Sequence, residues 1–150
     1  MRELSLNEII EYAEKIELES FAFYSKAKEI VLNETVKELL AKLADDETNH
    51  YNHLRRLRQK GALTEKELSQ KIPVNTDMLS VIVNTENIEK DFTSKDVLNI
   101  ALQREIKTEQ TYTMLTTLTQ ISDNVLDVFE LLRKQEKGHV SKIQDTLKKA

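Results

Sequence analysis

Glu47 and His50 stand three residues apart, as do Glu136 and His139. On a helix that spacing places a carboxylate and an imidazole one above the other on the same face. Each pair therefore offers an oxygen and a nitrogen donor to one metal ion. A single Glu-x-x-His carries little weight in a chain this rich in glutamate. Two of them, drawn from only three histidines, form a pattern.

The elements that must position these residues read as long helices. Ser5-Leu6-Asn7-Glu8 has the form of a capping box, in which the Ser5 hydroxyl accepts from an unpaired backbone N–H and Glu8 reaches back to Ser5. The apolar stripe Ile9, Ile10, Ala13, Ile16, Tyr24 and Val31 then predicts a helix over about 6–31. Asn33 caps a second helix over about 34–60, which ends near Gly61. Thr93 and Asp96 form another box before a helix over about 94–119, and Ser122 or Asp123 caps a fourth over about 123–148. From 61 to 92 the helical pattern lapses around Pro73, although Thr64 to Glu67 could cap a short helix and Met78 to Val83 could pack as an apolar patch. The expected architecture is all-α, a four-helix bundle of two helical hairpins joined by a long crossover, in one domain spanning 1–150.

The two hairpins repeat each other. Ser5 and Thr93, Ala13 and Ala101, Glu17 and Glu105, and Tyr24 and Tyr112 are each 88 residues apart. Val36 and Val125, Leu43 and Leu132, Glu47 and Glu136, and His50 and His139 are 89 apart. One inserted residue in the second turn accounts for the difference, and duplication predicts approximate two-fold symmetry. Glu17 lies 16 residues before Asn33, while Glu47 and His50 lie 14 and 17 after it. Glu105 lies 17 before Ser122, with Glu136 and His139 again 14 and 17 after. At a rise of about 1.5 Å per residue, each first-helix glutamate comes within about one turn of its facing Glu-x-x-His.

These glutamates also fall in apolar seams. Ile10, Glu17, Tyr24 and Val31 recur every seven residues, and so do Val36, Leu43, His50 and Leu57. A carboxylate buried there without a partner is costly, and four together repel one another. Two divalent cations would neutralise the four, with His50 and His139 completing the shell. Tyr24 and Tyr112 are either core residues or hydrogen-bond donors to ligand carboxylates. His53 has no match in the repeat and reads as a surface residue; Glu19 and Glu109 read as solvated or hydrogen-bonded outside the ligand set. Gly138, inside a helix at a cost of about 1 kcal/mol relative to Ala, either permits close approach of a neighbouring helix or has no role.

Composition narrows the remaining classes. Two glycines and one proline are too few for the hairpins of a sheet protein. A net charge of -4 gives no reason to expect nucleic acid or an anionic membrane as partner. The lack of cysteine excludes disulfides, thiol catalysis and cysteine-bound iron–sulfur centres, and it fits a cytoplasmic chain. The first residues lack the apolar run of a signal peptide, and no stretch reaches the length of a membrane span.

Glu17, Glu105 and the two Glu-x-x-His pairs, together with Tyr24 and Tyr112, resemble the pattern of the rubrerythrin-like branch of the ferritin-like superfamily, over both hairpins. The resemblance implies a ferritin-like fold holding two iron ions, with manganese or a mixed iron/zinc pair as alternatives. Glu17, Glu47, His50, Glu105, Glu136 and His139 are the implied ligands. Glu47 and Glu136 would bridge, Glu17 and Glu105 would be terminal or bridging, and these four glutamates are the implied catalytic set. It further implies a homodimer that reacts with hydrogen peroxide or dioxygen in defence against oxidative stress. Rubrerythrins proper add a rubredoxin domain with cysteine-bound iron; this cysteine-free chain is similar to the short erythrin type, which implies a separate electron donor such as a rubredoxin-like protein. The family's extra carboxylate on the third helix has no clear match, because Thr108 stands one turn after Glu105 and Glu109 is the nearest acid. The short tail after His139 argues against the fifth helix of a storage cage. The same ligand set also suits a ferrous-iron oxidase, a di-iron oxygenase or a bundle that holds metal for structure alone.

Overall fold

The caps predicted at Ser5, Asn33, Thr64 and Thr93 are in place in the computed structural model, which describes residues 2–59, 61–76 and 88–149; the Ser122 hydroxyl, one of the two candidate caps of the last helix, is instead buried without a hydrogen-bond partner. A short strand β1 (Arg2–Ser5) leads straight into helix α1 (Leu6–Ile30), where the Glu8 amide donates to the Ser5 hydroxyl at 3.1 Å and the Ser5 amide donates to the Glu8 carboxylate at 2.9 Å. Helix α2 (Glu34–Leu57) starts at Asn33, whose side-chain oxygen accepts from the Val36 amide at 3.0 Å. The Thr64–Glu67 box opens a single-turn helix α3 (Glu65–Ser69), followed by strand β2 (Lys71–Val74). Thr93 and Asp96 close the box that begins α4 (Ser94–Leu115), and α5 (Asp123–Lys149) follows Ser122.

α1 packs antiparallel on α2, and α4 on α5. Apolar residues from the start of α1, the end of α2, the end of α4 and the start of α5 form one cluster, with Leu6, Ile10, Leu54, Leu115 and Phe129 at its centre. The opposite ends of the same helices form the other, around Phe23, Val36, Leu40, Leu98 and Ile143. α2 and α4 thus run in the same direction, so the crossover must travel the length of the bundle. Between the two clusters lies the layer that holds the four glutamates.

The structure differs from the sequence reading in three places. The crossover is not irregular throughout: β2 pairs antiparallel with β1, Leu4 opposite Ile72 and Ser5 opposite Lys71. Ile72 and Val74 alternate with exposed Lys71 and Pro73, turn inward and join the first cluster. Helix α4 ends at Leu115 rather than near 119, because the Thr116 and Thr117 hydroxyls donate to the carbonyls of Thr113 and Met114, offering the backbone a turn in place of the helix. Likewise α2 ends at Leu57 and not at 60, with Gly61 beyond it at φ +93, a left-handed conformation that suits glycine. The apolar run 78–83 lies outside the described residues. No helix among those described is long and apolar enough to cross a membrane.

Candidate metal centre

The six residues singled out by spacing meet in the middle of the bundle, and all of them are buried. α1 delivers Glu17, α2 delivers Glu47 and His50, α4 delivers Glu105, and α5 delivers Glu136 and His139. They form two overlapping groups, Glu17, Glu47, His50 and Glu136 in one, Glu47, Glu105, Glu136 and His139 in the other. Within each group, one donor atom per residue lies within 4.8 Å of the rest. Glu47 and Glu136 belong to both groups, as bridging carboxylates would.

The polar atoms at the centre crowd one another without forming aligned hydrogen bonds, although His50 Nδ1 comes within 2.8 Å of Glu136 Oε1. Among the described residues, Glu17 Oε2, Glu105 Oε2, both oxygens of Glu47, both oxygens of Glu136, and Nδ1 of His50 and of His139 are buried with no hydrogen-bond partner. Buried polar groups are paired as a rule, and each that is not demands a reason. Here the orphaned atoms divide evenly: each group has one atom of its own glutamate, one imidazole nitrogen, and a share of both bridging carboxylates. All are oxygen or nitrogen donors, and two divalent cations fit that set.

The remaining atoms of the same side chains are occupied. The Tyr24 hydroxyl donates to Glu105 Oε1 at 2.5 Å, and the Tyr112 hydroxyl donates to Glu17 Oε1 at 2.6 Å. Each tyrosine therefore serves the glutamate of the other hairpin. Both phenol pKa values are pushed well up, by burial first and then by the carboxylates around them, so both remain donors. On the far side of the imidazoles, His50 Nε2 lies 2.5 Å from Gln135 Oε1, and His139 Nε2 lies 3.0 Å from Asp46 Oδ2. With the proton on Nε2, each ring turns a free lone pair on Nδ1 toward the centre. The rings stack with centroids 5.7 Å apart and planes inclined by 15°.

Without metal, protons must relieve the crowding. Burial and then mutual repulsion push the Glu47 and Glu136 carboxyls well above the usual range. Burial alone would depress the histidines, but Glu17 and Glu47 hold His50 up at about 8, and Glu105, Glu47 and Asp46 hold His139 up at about 9. Burial also opposes ionisation of Glu105, yet Glu136, His139 and the Tyr24 hydroxyl outweigh it and keep this carboxyl at about 2.

The other flagged residues lie outside the centre. His53 lines an open groove of about 450 Å³ between α2 and α5, with Asp46, Gln135, Gly138 and the edge of His139. Glu109 reaches Arg133 at 4.0 Å and takes no part in the cluster, while Thr108 is buried with its hydroxyl donating to the Arg104 carbonyl. A Cβ on Gly138 would meet nothing within 4 Å, so close helix approach does not explain that glycine. Asp46 and Gln135 escaped the sequence reading. The signal was available, since each immediately precedes a bridging-type glutamate and the two are 89 residues apart, as their neighbours are.

Known proteins bear on the fold and on part of the chain. The Rubrerythrin family model matches residues 1–58, which include α1 and α2 with Glu17, Glu47 and His50. The crystal structure of a Thermotoga maritima protein described as ferritin-like and diiron-carboxylate by resemblance superposes with a TM-score of 0.76 at 22% sequence identity, covering 99% of this chain and 97% of that one. No curated protein matches. The chain is thus similar to the Rubrerythrin family over residues 1–58, and it takes the ferritin-like fold along its length.

Proposed function

We propose that the cluster holds two iron ions and that the chain is a non-haem di-iron oxidoreductase that reduces hydrogen peroxide to water. The observation that carries this reading is the even division of orphaned donor atoms, with Glu47 and Glu136 common to both groups. A ferrous pair supplies the two electrons that, with two protons, take one peroxide to two waters. The residues do the rest. Glu17 and His50 would hold one ion and Glu105 and His139 the other, with Glu47 and Glu136 offering oxygens to both. Tyr24 and Tyr112 pin the outer oxygens of Glu105 and Glu17, so each of these carboxylates keeps one oxygen free toward the centre. The apolar clusters above and below keep bulk water away from the cluster. An electron donor outside these 150 residues, such as a rubredoxin-like protein, would return the pair to the ferrous state. A cytoplasmic homodimer fits this reading.

One observation favours a second reading on the same site. Thr108 fills the position one turn after Glu105, where rubrerythrins have a further carboxylate, and Glu109 faces Arg133 instead. Without that acid, oxidation of ferrous iron or of an organic substrate by dioxygen is the competing activity. Elemental analysis of protein purified without added metal, followed by stopped-flow oxidation of the ferrous form, separates the cases. Two irons per chain that oxidise faster with peroxide than with dioxygen support the peroxidase. The reverse order of rates supports the oxidase. Zinc that iron cannot displace would leave only a structural bundle. Glu47→Ala removes a bridge common to both groups, and it should reduce metal content from two per chain to less than one; a variant that still holds two would refute the bridging role.

A further inference from the structure

Taken pair by pair, the two halves of the centre match in residue type: Glu17 with Glu105, Tyr112 with Tyr24, Glu47 with Glu136, His50 with His139. The groups behind the histidines do not. His139 Nε2 faces the carboxylate of Asp46 at 3.0 Å, whereas His50 Nε2 faces the amide oxygen of Gln135 at 2.5 Å. Asp46 and Gln135 occupy equivalent places in the repeat, so the groups directly behind the two imidazoles differ by one charge. Lys42 Nζ lies 3.8 Å from the other Asp46 oxygen, but its side chain is 58% exposed, so water and salt screen that contact and leave Oδ2 to His139.

We propose that the two metal positions are unequal, that the position bounded by Glu105 and His139 fills first, and that Asp46 is the positioning residue that makes it so. This rests on the dimetal reading above. An imidazole whose Nε2–H points at a carboxylate is fixed in the tautomer that frees Nδ1, and its Nδ1 lone pair is more electron-rich than when the acceptor is a neutral amide. The negative charge behind the ring also favours a cation in front of it. Gln135 fixes the same tautomer at His50 without adding charge. The order of filling is therefore built into the residues behind the ligands, while the ligands themselves stay matched.

Zinc is the probe, because it is diamagnetic and does not change oxidation state. Calorimetric titration of the metal-free protein gives the affinities, and the ¹⁵N spectrum of histidine-labelled protein at one equivalent shows which Nδ1 is ligated. The expected result is two steps separated by about tenfold or more, with His139 ligated first. Asp46→Asn keeps the shape and removes the charge; it should weaken the first step by about 10–100-fold and merge it with the second. Gln135→Glu should tighten the His50 step, and the double variant Asp46→Asn with Gln135→Glu should reverse the order. A merely structural role for Asp46 does not predict a reversal. Two zincs bound with equal affinity, or His50 filled first in the wild type, would overturn the inference and leave the dimetal reading standing. Failure to bind a second zinc would overturn both. If Asp46→Asn does not fold, Gln135→Glu alone decides: an unchanged His50 step refutes the proposal.

Discussion

The crossed tyrosines tie the two hairpins together at the level of single hydrogen bonds. Tyr24, on α1, holds Glu105 on α4, and Tyr112, on α4, holds Glu17 on α1. Replacing Tyr24 with Phe leaves Glu105 Oε1 buried without its donor, and the expected cost is about 1–3 kcal/mol in urea unfolding. A double-mutant cycle tests the crossing. Tyr24→Phe and Glu105→Gln should couple strongly, and Tyr24→Phe and Glu17→Gln, on the same helix, should be closer to additive. Equal coupling in the two cycles would refute the crossed pairing. The sequence made Tyr24 and Tyr112 visible through the repeat, but not their partners. Spacing within a helix predicts a face, whereas the partner across the bundle depends on how α1 sits against α4. Asp46 and Gln135 likewise carry the repeat's offset, but their place behind the histidines rests on contacts between α2 and α5.

Helix starts were legible because capping is local chemistry: Ser5 with Glu8, Asn33, and Thr93 with Asp96 need no tertiary contact to be recognised. The β1–β2 pair was not, because its four-residue strands lie far apart in the chain and a run that short carries no firm period. Its contribution is nonetheless testable. Ile72 is fully buried against the first apolar cluster, so Ile72→Ala should cost about 2–5 kcal/mol, far more than an irregular surface connection would lose. A loss below about 0.5 kcal/mol, the usual range for surface changes, would show that the pair does not anchor the crossover. Gly138 supplies the opposite case. It lies inside α5 and nothing would touch an added methyl, so Gly138→Ala should stabilise the protein by about 1 kcal/mol through helix propensity alone. A lower unfolding midpoint would mean that the backbone there must bend or open.

The bundle as a whole is arranged around a layer that is unfavourable without metal. Two well-packed apolar clusters flank four buried carboxylates, and in the metal-free protein burial and mutual repulsion favour the protonated forms of Glu47 and Glu136, as the facing carboxylates favour those of His50 and His139. The sign of the resulting pH dependence follows from the histidines. Their pKa values are raised in the folded state to about 8 and about 9, so their stabilisation is complete below the unfolded value of about 6.5 and is lost as pH rises through the folded ones. The raised carboxyls act in the same direction, beginning above their ordinary range. Glu105 acts oppositely, but only in acid, as pH falls toward about 2. Metal-free protein should therefore melt at progressively lower temperature between about pH 6.5 and 9. Metal binding reverses the trend in affinity, because cations take the places of protons that are held less tightly as pH rises. At about 100 times the dissociation constant, each bound ion adds about 2.7 kcal/mol, and two should raise the melting temperature by on the order of 10 °C. Thermal melts with metal and with chelator, taken at intervals from pH 6 to 9, should show a gap that widens with pH. A gap that stays constant or narrows would mean that the buried histidines do not carry the protons that metal must displace.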